Sequence, residues 1–352
     1  LLQVGGNGVY AAIDPIAIKN IGPVLERIKN PDVLKIFHAG KQDLEILHHL
    51  CGDAVKPVFD TQVAASLLGW GSQISFSKIV QKTTGKIIHK TETYTDWCRR
   101  PLSANQIAYA LDDVRYLAPA YEDLLKRLRQ LNRLDWVRDE FRSLEDPENY
   151  KRPSPRRQFL KIKNIRRLKP RNLSALVELA AWREGEAIKR DCHPKSVVRD
   201  EPLFEVARIL PEKPSILGTI RGFPQKEISR SGAQIIEAVR KGLAVPKDQM
   251  PVLPETARYS TRPGMEELLA AFVQSRSEEL KIQANVLADR KQIHNIVKYY
   301  EQHKSWDGNG LLTGWRKDIL GSSLISILEG RSGLVADKNG KIHLVPMDKK
   351  EK

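Results

Sequence analysis

Apolar residues at Ile107, Ala110, Leu111, Val114 and Leu117 recur every three or four positions, the spacing of a helix with one packed stripe. Just ahead of them, Ser103 and Gln106 form the S-x-x-Q arrangement of a capping box, which predicts a helix beginning at Ala104. At about 100° per residue, Tyr109 and Asp113 fall one turn apart on a face away from that stripe. Pro119 is predicted to break or kink the helix before "YEDLLKRLRQL" resumes the pattern. Upstream the rhythm changes. "GVYAAIDP", "VLKIFHA" and "KPVFDT" are short strand-like runs, separated by helical stretches over about 41–51 and in "TQVAASLLG". Such alternation predicts an α/β layer with a mostly buried sheet.

Past residue 171 the spacing is helical without strands. "NLSALVELAAWREGEAIKR" sets Leu173, Leu176, Val177 and Ala180 on one side, and "EPLFEVARIL" and "SGAQIIEAVRKGL" follow. After the Pro-rich "AVPKDQMPVLPE" the pattern returns in "MEELLAAFVQSRSEELKIQ", "ADRKQIHNIVKYY" and "GSSLISILEG". Val198-Arg199-Asp200 and Leu287-Ala288-Asp289 occupy equivalent places 89 residues apart, which predicts two copies of a small helical module. The final "VADKNGKIHLVPMDKKEK" is charged and is expected to be a mobile tail without a packing partner.

Charge then narrows the class of partner. Lys and Arg number 58 against 43 acids, a net +15 over 352 residues, which favours a polyanion over a small neutral substrate. From Lys151 to Arg171 the chain carries ten basic residues and no acid, with Pro153, Pro155 and Pro170 among them. This reads as a basic connector and a track for phosphates. Three scattered cysteines exclude a disulfide framework and a Cys-type zinc site, and fit a reducing cytoplasm. No apolar run approaches the length of a membrane span.

The chemistry-bearing residues are few. "IFHAGKQDLEIL" puts Asp43 in the first turn of a helix directly after a strand, at a sheet edge where ligand sites form. A tyrosine and an acid aimed together at a cleft would suit metal-assisted hydrolysis; a solvated helix face with an incidental Tyr109/Asp113 pair is the other reading. His38, at a strand end, is expected to be hydrogen-bonded near the same cleft. Arg99 and Arg100, just before the helix, are candidates for substrate phosphates. Asp60 is read as an N-cap. His48 and His49 diverge too far on a helix to share one ion. Trp182 and Trp315 are read as core anchors.

Taken with "HKTETYTDWCRRPLSANQIAYALDDVRYL", these motifs closely resemble ribonuclease D, of the tyrosine subclass of DEDD 3′→5′ exonucleases. The resemblance spans essentially the whole chain, because the helical modules look like the paired HRDC domains of that family. It implies an α/β RNase H-like exonuclease domain over 1–135, lacking its first strand. A basic linker over 136–171, all-α HRDC domains over 172–245 and 258–332, and a charged tail over 333–352 would follow. It implies a 3′→5′ exoribonuclease trimming structured RNA, tRNA precursors included, acting as a cytoplasmic monomer. The family's second motif acid falls on Asp43, and its Tyr-x-x-x-Asp motif on Tyr109 and Asp113, leaving Asp112 as a neighbour. Asp43 and Asp113 would then hold two divalent cations, Mg²⁺ or Mn²⁺, roughly 3.5–4 Å apart, while Tyr109 orients the attacking water.

One motif departs from the family. The Asp-x-Glu of the first strand is not found, and "LLQVGGNGVYAAIDP" resembles the second strand of the fold. Asp14, Asp139-Glu140 and Asp200-Glu201 do not replace it. The expectation is half of a catalytic site, with an open edge beside the strand ending at Ile13, facing Asp43 and Asp113. Two other functions stay open: a DNA 3′→5′ exonuclease, separable by sensitivity to the 2′-hydroxyl, and a catalytically inactive nucleic-acid-binding protein.

Overall fold

Asn7 and Gly8, at φ 50° and 79°, reverse the chain in the left-handed conformation that tight hairpins require. They join β1 (Leu2–Gly6) to β2 (Val9–Ile13) in an antiparallel pair. The computed structural model describes residues 1–88, 95–151, 154–253, 263–303 and 310–347. After α1 (Gly22–Lys29), β3 (Lys35–Phe37) leads into α2 (Lys41–Cys51), and β4 (Val58–Asp60) into α3 (Thr61–Leu67). β3 and β4 pair in parallel, Ile36 opposite Phe59, as a strand–helix–strand unit requires. The expected buried sheet is therefore divided. Among the described residues, β1–β2 and β3–β4 are separate two-stranded ladders, and only β4 is buried throughout.

Helices α4 (Phe76–Thr84), α5 (Ala104–Arg115), α6 (Leu117–Gln130) and α7 (Leu134–Glu145) enclose these ladders. The break between α5 and α6 comes at Tyr116, which caps both. Pro119 falls in the first turn of α6, where its missing N–H is no loss.

Next come α8 (Pro170–Lys189), α9 (Pro194–Val197), α10 (Asp200–Ile209), α11 (Pro214–Leu217) and α12 (Gln225–Leu243). The last elements are α13 (Pro263–Leu280), α14 (Ala284–Leu287), α15 (Arg290–His303), α16 (Gly314–Arg316), α17 (Ser322–Leu328), β5 (Ser332–Ala336) and β6 (Ile342–Pro346). The repeat is visible in them, shifted by one residue from the expected match: a long helix, a four-residue helix, a buried extended residue and another helix recur as α8–α9–α10 and α13–α14–α15, with Val198 corresponding to Ala288 and not to Leu287.

The chain forms two compact units, 1–150 with 258–352, and 151–257. In the first, Leu44, Phe59, Leu67 and Leu124 share one core with Leu269, Val273, Trp315 and Leu324. Buried Arg133 donates to the carbonyls of Leu67 (2.6 Å) and Leu280 (2.7 Å). Trp315 stacks on Trp136, centroids 4.9 Å apart, and its indole donates to Glu140 at 2.8 Å. Asp139 and Glu140 thus serve this packing, since Asp139 also accepts from the Trp315 backbone. In the second unit, Leu176, Leu179, Leu203, Val206 and Ile235 form the core, and Trp182 packs partly buried against it. Asp200 is held there by Arg183 and Lys195, both at 2.8 Å.

Two expectations are corrected. The terminal segment is not a structureless tail up to 347: β5 and β6 form a hairpin, and Ser275 donates to the Ile342 carbonyl. The basic stretch is not an extended connector over 154–168: it winds into tight turns at Pro155–Lys161 and Ile165–Arg167, burying Phe159 and Ile162. The parts of these stretches at 152–153 and 348–352, the Pro-rich break over 254–262 and the motif residues 89–94 lie outside the described residues.

Candidate active site

One buried carboxylate sets the geometry of this region. Asp60, at the end of β4, caps α3 by accepting from the backbone N–H groups of Gln62 (2.8 Å) and Val63 (3.2 Å). It also accepts from Ala39 (3.2 Å) and Gly40 (2.8 Å), the turn from β3 into α2. Ala39 sits at φ 54°, and Gly40 lies so close to Phe37 that a Cβ there would come within 2.5 Å of it. Glycine is therefore required, and the first turn of α2 starts where Asp60 holds it. The N-cap reading of Asp60 is the one its hydrogen bonds support.

Asp43 projects from that first turn. Desolvation pushes its carboxyl above the usual range, and the Asp60 charge adds to the rise. Across the cleft, α5 begins with the predicted capping box, Gln106 N–H to the Ser103 hydroxyl at 3.2 Å and Ser103 N–H to the Gln106 side chain at 2.7 Å. α5 packs on β1 and β2, yet its stripe is only partly covered: Ala110 is buried, while Ile107 is 40% exposed. Asp113 has its carboxyl pushed up to about 6, by desolvation first and by the neighbouring Asp112 second. Asp112 pairs with Arg115, 2.6 Å away. Tyr109, half-buried one turn earlier, lies beside Trp97 with ring centroids 6.1 Å apart, and burial and Asp113 both raise its hydroxyl's pKa.

Asp43, Asp113 and His38 line one cavity of about 610 Å³. Its walls include Leu2 and Gln3 of β1 and Ile36 and Phe37 of β3, so it separates the two ladders. Among the described residues an unpaired edge borders the cavity of Asp43 and Asp113; it belongs to β1, whereas the strand ending at Ile13 is β2, paired to β1. His38 is hydrogen-bonded, as anticipated: its Nδ1 lies 3.0 Å from the Thr61 hydroxyl, which donates to the Phe37 carbonyl. Phe76 packs beside it, ring centroids 5.2 Å apart.

The remaining candidates are engaged elsewhere or differ in setting. Arg100 donates Nε and Nη2 to Asp14 at 2.5 and 2.8 Å, and Nη1 to the carbonyls of Trp97 and Arg99. That guanidinium beside Asp14 holds its carboxyl far below the usual carboxylate range. Arg100 thus braces the turn before α5 against the end of β2, and Arg99 is the exposed one of the pair. The rings of His48 and His49 stand at 89° to one another, with His49 bonded to the Glu45 carbonyl. Sequence reasoning missed Thr61, Gly40 and Trp97. The signal for the first two was present, in an Asp-Thr pair and an Ala-Gly pair each closing a strand.

Two carboxylates lining one cavity, both raised by partial burial, are a donor set for a hard divalent ion. Among the described residues no cluster of three or more His, Cys, Asp or Glu could hold a metal, so Asp43 and Asp113 supply only part of a coordination sphere. None of the described helices is long and apolar enough to cross a membrane.

Comparison with known proteins places this cleft in context. A family profile described as 3′-5′ exonuclease matches residues 1–129, an HRDC domain profile matches 172–239, and one for the ribonuclease D C-terminal HRDC domain matches 265–324. The chain is 33% identical to ribonuclease D of Nitrobacter hamburgensis over 320 residues, 91% of this chain and 82% of that one. It is 34% identical to ribonuclease D of Granulibacter bethesdensis over 349 residues, 96% and 85% of the two chains. The crystal structure of Escherichia coli RNase D, an exoribonuclease involved in structured RNA processing, superposes with a TM-score of 0.82 at 29% identity, covering 93% of this chain and 88% of that one.

Proposed function

The chain belongs to the ribonuclease D family, and from that premise we propose that it is a cytoplasmic 3′→5′ exoribonuclease that trims structured RNA, tRNA precursors among them. One observation carries the proposal: Asp43 and Asp113, from two different elements, line a single cavity, open to solvent yet covered enough that both carboxyls are raised. The 58 basic residues against 43 acids suit an RNA substrate, and the free cysteines Cys51, Cys98 and Cys192 suit a reducing compartment.

In this reading Asp43 and Asp113 hold divalent cations, Mg²⁺ or Mn²⁺, through hard carboxylate oxygens. Such ions supply, when bound, neutralisation of the scissile phosphate and a more acidic water. The Tyr109 hydroxyl orients that water, a positioning role that asks for no unusual ionisation. His38, bonded to Thr61, borders the cleft from the β3 side, and the reading assigns substrate phosphate to Arg99, which is exposed. Two carboxylates are too few for two cations. The family's first motif, Asp-x-Glu, would bring the others.

The test uses a protein that carries an Asp-x-Glu motif together with this chain, so that the remaining ligands are present. Mn²⁺ binding by calorimetry should be lost in Asp113→Asn and Asp43→Asn. A 5′-labelled RNA should shorten one nucleotide at a time with Mg²⁺, not at all with Asp113→Asn, and roughly tenfold or more slowly with Tyr109→Phe. Equal shortening by Asp113→Asn would overturn the site. Equal rates on DNA of the same sequence would favour the DNA exonuclease reading instead.

A further inference from the structure

The turn that leads into α5 is tied down at both ends. Asp96 starts it, accepting from the Cys98 N–H on its side chain (2.9 Å) and from the Arg99 N–H on its carbonyl (3.2 Å). Arg100 then fastens it to the end of β2. Its guanidinium meets both carboxyl oxygens of Asp14, and its Nη1 donates to the carbonyls of Trp97 (2.8 Å) and Arg99 (2.9 Å). Arg100 and Asp14 are both partly buried, and a forked contact of this kind fixes direction as well as distance. Asp14 is itself held in a turn, its side chain accepting from the Ile16 N–H (3.0 Å) and its carbonyl from the Ile18 N–H (2.9 Å).

What this braced turn carries is Trp97. Its half-buried indole lies against the Tyr109 ring, centroids 6.1 Å apart and planes at 34°, within the range of favourable aromatic pairs. Among the described residues no hydrogen bond reaches the Tyr109 hydroxyl. Packing on the ring therefore decides where that hydroxyl points. A change of χ1 rotamer would carry it, at the far end of the ring, well away from Asp113.

We infer that Trp97 is a positioning residue for the reaction: held by the Asp14–Arg100 pair, it keeps the Tyr109 ring in the orientation that presents its hydroxyl to the attacking water. This rests on the role given to Tyr109 above. Trp97 itself touches no reacting atom, and Arg100 is the brace of Trp97 and not a contact for substrate phosphate.

The first measurement needs neither metal nor RNA. In the full chain carrying fluorotyrosine, the fluorine NMR signal of Tyr109 is the one lost in Tyr109→Phe. Trp97→Leu should move that signal, because the indole ring current is gone. Asp14→Asn, a milder change on another element, should move it in the same direction, because the brace is released. An unmoved signal in Trp97→Leu overturns the contact, and one that moves only in Trp97→Leu overturns the brace.

Kinetics then separate positioning from packing, in the same protein with Asp-x-Glu present that serves for Tyr109→Phe. At saturating RNA, Trp97→Leu should slow shortening about fivefold to tenfold, while RNA affinity in EDTA stays at the parent value. In the Tyr109→Phe background the same change should cost less than about twofold, since no hydroxyl is left to misplace. Trp97→Phe, which keeps a ring against Tyr109, should recover most of the rate. Multiplicative losses in the double variant overturn the inference. So does a fall in affinity that matches the fall in rate, which would make Trp97 a contact for RNA. If Tyr109→Phe keeps the parent rate, the role of Tyr109 fails; if Tyr109→Phe is slow and Trp97→Leu is not, the positioning role alone fails.

Discussion

Replacing Asp113 with asparagine is expected to strengthen the fold while removing the chemistry. Its carboxyl titrates near 3.8 when solvated and at about 6 in the folded protein, chiefly because the cleft desolvates it. The folded state therefore binds a proton more readily than the unfolded one between those values. Stability falls as pH rises through that window, and above about pH 6 the whole cost is present. Taken in full, that rise corresponds to about 3 kcal/mol at pH 7. The side chain opens to solvent on one side, however, so screening brings the expected cost to about 1 kcal/mol. Asparagine keeps the shape and lacks the charge. In EDTA at pH 7.5, Asp113→Asn should raise the melting temperature of the larger unit by about 2–4 °C. At pH 3 the difference should nearly vanish, since the carboxyl is then mostly protonated in both the folded and the unfolded chain. Added Mn²⁺ should stabilise the parent chain and not the variant. A variant that is less stable at pH 7.5, or whose advantage is the same at both pH values, would refute the reasoning.

Asp60→Ala should lower stability by about 3 kcal/mol, because four backbone N–H groups lose their acceptor in a buried place, and urea denaturation would measure it. The same variant should weaken Mn²⁺ binding although Asp60 is not proposed as a ligand; unchanged affinity would mean that it does not position Asp43. Arg133→Met should shift the urea midpoint of the larger unit by an amount worth about 2–3 kcal/mol, since two carbonyls from distant segments lose one shared donor. An unmoved midpoint would show that the apolar core alone joins those segments.

Local signals in the sequence carried well. The Ser103–Gln106 capping box, the Asp60 cap, the Tyr109/Asp113 turn and the repeated helical module all depend on neighbours within a few residues, and each is found in the structure. What periodicity cannot tell is which surface a stripe meets. The stripe of α5 was read as buried, but Val114 and Leu117 open onto the cleft they share with Asp113. The basic stretch was read by its charge, while Phe159 and Ile162, two apolar residues among ten cations, decide its conformation. The β5–β6 hairpin escaped notice because each strand is only five residues long and flanked by charges. The shared core of the larger unit could not be read at all, because Trp136 and Trp315 are far apart in the chain.

That shared core has a consequence for synthesis. The core that Leu44 and Leu47 of α2 join is completed by Leu269, Val273 and Trp315, which leave the ribosome long after residue 150. At about 5–20 residues per second, the first 150 residues wait on the order of 10–30 s with that apolar surface bare. The 151–257 segment is contiguous and can close its own core during the wait. A ribosome that stalls after residue 257 therefore releases a chain with one finished unit and one unfinished one, and the unfinished one is where chaperones and proteases find their grip.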